Sequence, residues 1–140
     1  MPIDIRYLDN GIGVLYIGQG IVTGDEIIKS NRNIFSSKER MEKLKYGFID
    51  YSNITQLSVS NSEIEIIASQ DKKASEYIPD AVVAVAAKRD FEFGLNRMWE
   101  IVVENTGLQW KTMIFRERDA TVKWIKQKVK EKYNIDLTMA

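Results

Sequence analysis

Residues 81–87 read AVVAVAA, seven apolar side chains in succession without a charge among them. A run of this length and continuity fits an internal strand covered on both faces. A short buried helix would look the same, because periodicity alone does not separate the two. Just upstream, Pro79 is a natural stop for a preceding helix, and just downstream Asp90 can cap a following one. Before the run, Ile64, Ile67 and Ala68 recur at three-to-four-residue spacing, and Ala74 and Tyr77 can continue the stripe with Asp71, Lys72 and Lys73 outside it. After the run, Leu95, Met98, Trp99, Val102 and Val103 repeat the helical rhythm until Asn105-Thr106-Gly107. An apolar strand between two amphipathic helices is the local unit of an α/β fold.

The same alternation extends to both ends. In IDIRYLDNGIGVLYIGQG (3–20), Asn10-Gly11 separates two strand-like runs and supplies the positive dihedrals of a tight hairpin turn. Gly18 and Gly20 end or bend the second strand. Thr23 followed by Glu26 forms a capping box ahead of a helix carrying Ile27, Ile28, Ile34 and Phe35. The mixed charges of Lys38–Lys43 read as a solvated helix end or linker, and Tyr46, Phe48 and Ile49 mark a strand ending near Tyr51. Trp110, Met113, Ile114 and Phe115 form the last strand. Asp119 opens a terminal helix striped by Val122, Ile125 and Val129, with Trp124 at its flank and lysines suited to the helix dipole near its end. The expected order is β-hairpin, helix, strand, helix, strand, helix, strand, helix: one α/β domain over residues 1–140, a mixed β-sheet with an N-terminal β-hairpin and helices packed on its faces.

Composition narrows the chemistry. Twenty basic residues balance twenty acidic ones, so the chain lacks the footprint of a nucleic-acid binder. With no cysteine and no histidine, disulfides, thiol redox chemistry, histidine-activated nucleophiles and the usual zinc sites are excluded within the chain. The glycines follow neither dinucleotide nor phosphate-loop spacing, so no cofactor is expected. The scattered acids Asp4, Asp9, Asp25, Asp50 and Asp90 suit turns and caps better than acid–base pairs. No apolar run approaches the roughly 20 residues of a membrane-spanning helix, and no apolar leader opens the sequence. The expectation is a cytoplasmic, non-enzymatic protein without transmembrane association.

One passage remains to be explained: DYSNITQLSVSNSEI (50–64), where Ser58, Ser60 and Ser62 stand before a helix. Ser60 with Glu63 makes one capping box and Ser62 with Glu65 another, and the two disagree about the first helical turn. Together with Gly20-Ile21-Val22-Thr23-Gly24, the FIDYS strand end, AVVAVAA, and Asp119-Ala120 before Trp124-Ile125, this passage resembles the SpoIIAA-like branch of the STAS superfamily. The resemblance covers roughly residues 10–132 and implies a STAS-like fold and a regulatory, protein-interacting role. In the antagonist branch of that family a serine at such a helix start accepts phosphate. The spacing brings Ser60 to that position, while Ser58, Val59 and Asn61 stand where the family has aspartate, serine and glycine.

Two functional readings follow. The first is a noncatalytic regulatory or protein-interaction module controlled at Ser60, meeting an unidentified protein partner through Ser58, Asn61 and Ser62 and the neighbouring Phe91, Phe93, Arg97, Met98 and Trp99. Exposed aromatics would equally anchor a homodimer. The second is a carrier or sensor of a small apolar, lipid-like ligand held between helices that include Phe91, Phe93, Met98 and Trp99. A core packed without a cavity would count against this second reading.

Overall fold

The structure, a computed structural model, describes residues 3–139. Five strands form the main sheet: β1 (Ile3–Leu8), β2 (Gly13–Gly18), β4 (Tyr46–Asp50), β6 (Val82–Ala86) and β7 (Lys111–Phe115), in the order β1-β2-β4-β6-β7. Only the β1–β2 pair is antiparallel, and the other pairings are parallel. The AVVAVAA run is β6. It lies between β4 and β7, and all its residues are buried, as continuous apolarity on a doubly covered strand requires.

Alternation along these strands divides the core in two. Val14 and Tyr16 of β2 and Val83 and Val85 of β6 belong to one apolar cluster, with Ile27 and Ile34 of α1 (Gly24–Phe35), Ile64 and Ile67 of α3 (Asn61–Tyr77), and Trp99 and Val103 of α4 (Asp90–Asn105). Leu15, Phe48, Val82, Ala84 and Ala86 point the other way, onto Val122, Ile125 and Val129 of α5 (Arg118–Tyr133). Burying each of these larger side chains is worth about 1.5–3 kcal/mol. Beyond α5 the chain turns at left-handed Asn134 and lays Leu137 and Met139 against the same face.

Several expectations are corrected. Asn10 and Gly11 supply the expected positive φ of the hairpin, but its connection is wider than a tight turn. Asp9, Asn10 and Gly11 all adopt positive φ, and Leu8 pairs with Gly13 across a four-residue connection. The carboxylate explains the wider loop: Asp9 Oδ2 accepts from the Tyr46 hydroxyl at 2.7 Å, while Oδ1 accepts from Thr138 N and Oγ1 at 2.8 and 2.7 Å. Two short strands, β3 (Gly20–Thr23) and β5 (Ile54–Ser58), pair in parallel as a separate two-stranded sheet. Lys38–Glu42 forms a short helix, α2, capped by Ser37. Asp90 and Asp119 lie inside the first turns of α4 and α5, where Arg89 and Glu117 hold the cap positions without side-chain capping bonds. Tyr77 and Met98 are exposed rather than part of their helices' apolar stripes, and the inner face of α4 instead carries Glu92, Asn96 and Glu100. Among the described residues no helix is long and apolar enough to cross a membrane.

Candidate functional site

The sheet and the α1–α3–α4 layer do not close completely. A cavity of about 100 Å³ remains between them. Its floor is Val14 and Tyr16 of β2, Gly47 and Ile49 of β4, and Val83 and Val85 of β6. Gly47 leaves this floor low, because it contributes no side chain where the neighbouring strands present valines. Asn31 and Ile34 of α1, Ile64, Ile67 and Asp71 of α3, and Leu95, Asn96 and Trp99 of α4 form the wall and roof. Half-buried Phe35, Val59 and Trp110 complete the lining, with the Trp110 ring tilted against Phe35 at 6.5 Å between centroids.

Most polar groups in this lining are committed to one another. The Tyr16 hydroxyl donates to Asn31 Oδ1 at 2.6 Å, the Asn31 amide donates to Gln70 Oε1 at 3.1 Å, and the Gln70 amide donates to the Ile28 carbonyl at 3.0 Å. The Asn96 amide is spent on the Glu92 carbonyl and the Trp110 indole on the Ile78 carbonyl. Asp71 differs. Its Oδ2 accepts from the Trp99 indole at 2.9 Å, and no other hydrogen bond reaches the carboxyl among the described residues. The side chain is 6% exposed, and the cavity lining contains no lysine or arginine. Burial therefore pushes the carboxyl up to about 7, with the Trp99 bond pulling the other way. Burial also raises Tyr16 and Tyr51, and the charge of Asp71 adds to the rise in both.

Asp71 was expected on the outer face of its helix. It sits instead on the buried stripe Ile64, Ile67, Ala68, Asp71, Ala74, Ser75. The signal was present in the spacing: Asp71 lies seven residues after Ile64 and three before Ala74, so the 3.6-residue period carries it inward. Residue type suggested solvent, but the period put it in the core.

The serine passage has a settled geometry. Ser60 is the N-cap of α3: its Oγ accepts from Glu63 N at 3.2 Å, while the Glu63 carboxylate accepts from Ser60 N at 2.9 Å. Of the two capping boxes, the first is formed. Ser62 is exposed in the first turn with its Oγ 3.1 Å from Ser60 Oγ, Asn61 opens the helix exposed, and Ser58 ends β5 exposed. A second capping box, Thr23 with Glu26, starts α1 after β3. Because β3 and β5 pair with Thr23 opposite Ser58, these two helix starts stand side by side.

The α4 residues do not form one surface. Trp99 is buried in the cavity wall. Phe93 is half-buried beneath the Arg116 guanidinium, 4.4 Å from the ring centroid. Arg97 is exposed and pairs with Glu100 at 3.5 Å. Phe91 and Met98 face solvent, joined by Ile101 at helical spacing. Near the sheet's C-terminal edge, buried Asp50 accepts from Ser52 and from Arg118 Nε at 3.2 Å.

No family model matches the chain, and no curated protein matches it. Among solved structures it is similar to an uncharacterized protein of the DUF3478 family with a SpoIIAA-like fold from Shewanella loihica PV-4, at 15% identity and a TM-score of 0.49, over 88% of this chain and 91% of that one.

Proposed function

We propose that the chain is a noncatalytic binding module that carries or senses a small apolar ligand in the cavity beneath α3. The supporting observation is the cavity itself, about 100 Å³ walled by apolar and aromatic side chains around a few polar groups, which is the composition of small-molecule sites. Protein interiors are close-packed, and a space of this size between a sheet and its helices gives a small molecule room among core side chains. The noncatalytic part of the reading rests on the lining, which contains no serine, threonine or lysine to pair as nucleophile with the lone carboxyl.

Xenon tests the reading directly, since it enters cavities lined by aliphatic and aromatic side chains. Methyl resonances of Ile34, Ile67, Val83 and Val85 should shift under xenon pressure while those facing α5 stay still. If the shifts are absent or spread evenly over the surface, the cavity is not a binding site.

A partner-binding switch is a second reading, favoured by the exposed stripe Phe91, Met98 and Ile101. In this reading Ser60, whose hydroxyl lies at an exposed helix start, accepts phosphate where the α3 amides and dipole can hold it. Intact-protein and peptide mass spectra from native cells would show phosphate at Ser60. Unmodified Ser60, together with an interactome that Ser60→Asp leaves unchanged, would end this reading.

A further inference from the structure

We propose that the ligand of this cavity is a small alkyl amine, its apolar body among the aliphatic and aromatic side chains and its ammonium group held at the Asp71 carboxylate and the Tyr51 hydroxyl. This rests on the cavity being a ligand site, and it names the chemistry of the ligand.

The argument comes from which polar groups remain unspent. Tyr16, Asn31 and Gln70 hydrogen-bond in series, and the Asn96 and Trp110 donors are taken by backbone carbonyls. Besides the Asn96 amide oxygen, two groups in the lining are left. Asp71 uses only Oδ2, for Trp99, and the Tyr51 hydroxyl makes no hydrogen bond among the described residues. Both side chains are buried, 6% and 5% exposed. Both belong to the lining of the same cavity. Buried polar groups are normally satisfied, and a buried carboxylate normally has an opposite charge. Here the chain brings no opposite charge to Asp71 and no partner to the Tyr51 hydroxyl, and neither oxygen is sealed off from the cavity.

An ammonium supplies both missing features. It brings the opposite charge and three donors, one for Asp71 Oδ1 and one for the Tyr51 oxygen. The rings of Trp99, Tyr16 and Tyr51 belong to the same lining and favour a cation electrostatically. An anionic ligand would set like charge against Asp71, a hydrocarbon would leave both groups unpaired, and an alcohol would bring a donor without the charge. The remaining space limits the apolar body. At about 100 Å³ the cavity is smaller than the roughly 150 Å³ that accommodates benzene, so an alkyl body of two or three carbons suits it.

Ionised Asp71 is the binding form. The groups facing it from the surrounding elements are Tyr16 of β2, Tyr51 after β4, Asn31 of α1, and Asn96 and Trp99 of α4, none of which gains or loses charge near neutrality.

Ethylamine and its neutral isostere propane test the assignment, read by the Trp99 indole N–H resonance and the cavity methyls. Near pH 8 the amine should bind at least about tenfold more tightly. Asp71→Asn should abolish that preference while xenon still enters. Equal binding of the two probes, or a preference that survives Asp71→Asn, overturns the amine assignment and leaves the cavity reading standing. Exclusion of xenon and both probes removes the cavity reading and this one with it. Should Asp71→Asn not fold, the unmodified protein decides: its amine preference must drop about tenfold or more between pH 8 and about pH 5.5, and a flat profile overturns the proposal.

Discussion

The ring of Tyr46 occupies the space where a side chain at position 13 would be. A Cβ on Gly13 would lie 1.9 Å from Tyr46 Cζ, and Tyr46 cannot withdraw, because it is 1% exposed and its hydroxyl is bonded to Asp9. Gly13→Ala should therefore lower unfolding free energy by roughly 1–3 kcal/mol or more, measured by urea titration. Gly47, on the cavity floor, behaves in the opposite way. A Cβ there meets Val83 and Val14 only at 3.7 and 3.8 Å, ordinary contact. Gly47→Ala should raise stability by about 0.4–1 kcal/mol and weaken xenon binding by taking up cavity space. A stability loss with unchanged xenon binding would show that the floor does not define the cavity. Both glycines sit in strands and look alike in the sequence; only the neighbour across the sheet, a tyrosine ring or a valine methyl, distinguishes them. Asp71 shows the converse, since its inward position was legible from the α3 period but its residue type argued against it.

At the scale of elements, the α3 start separates a structural role from a regulatory one. Ser60→Ala removes the bond to Glu63 N and should cost about 0.5–2 kcal/mol, whereas Ser60→Asp keeps a capping oxygen and should be close to neutral. Thermal melts of the two variants check this, and equal losses would mean the cap contributes little. The comparison also validates Ser60→Asp as a folded phosphate mimic. The long elements were legible from sequence because each spans enough residues for its period to repeat: α3 and α5 showed their stripes, and β6 its unbroken apolarity. The short ones were not. β3 and β5 offer four and five residues, too few for alternation to stand out, and each runs straight into a helix cap whose signal dominates. The polar inner face of α4 escaped for a different reason. Glu92 is held by Arg89 at 2.7 Å, only three residues away, but Glu100 is held by Thr112 of β7 at 2.9 Å, and a partner on another element cannot be read from helical spacing.

For the molecule as a whole, two carboxyls set opposing pH dependences. Burial works against the charge on Asp9, but hydrogen bonds from Thr138 and Tyr46 outweigh it and hold the carboxyl below its usual range. Its contribution is present above the unfolded value of 3.8 and is lost as pH falls through the lower folded value. Asp71 runs the other way. Its folded value of about 7 lies above the unfolded 3.8, so between them the folded state binds the proton that the unfolded state has released. Its contribution is complete below pH 3.8 and is lost as pH rises through about 7. The full swing is on the order of 4 kcal/mol, a large share of a small domain's 5–15 kcal/mol. Unfolding free energy should accordingly decline from about pH 4 to pH 8 in the ligand-free protein, and Asp71→Asn should flatten that decline and leave the variant the more stable of the two at pH 8. Urea titrations across that range decide it; parallel profiles for the two proteins would show that Asp71 is already neutralised in the fold. An amine bound at Asp71 should flatten the profile as well, because it supplies in the folded state the counter-charge that the chain omits. A ligand that restores alkaline stability to the unmodified protein but not to Asp71→Asn would tie the buried carboxyl, the cavity and the binding function to one site.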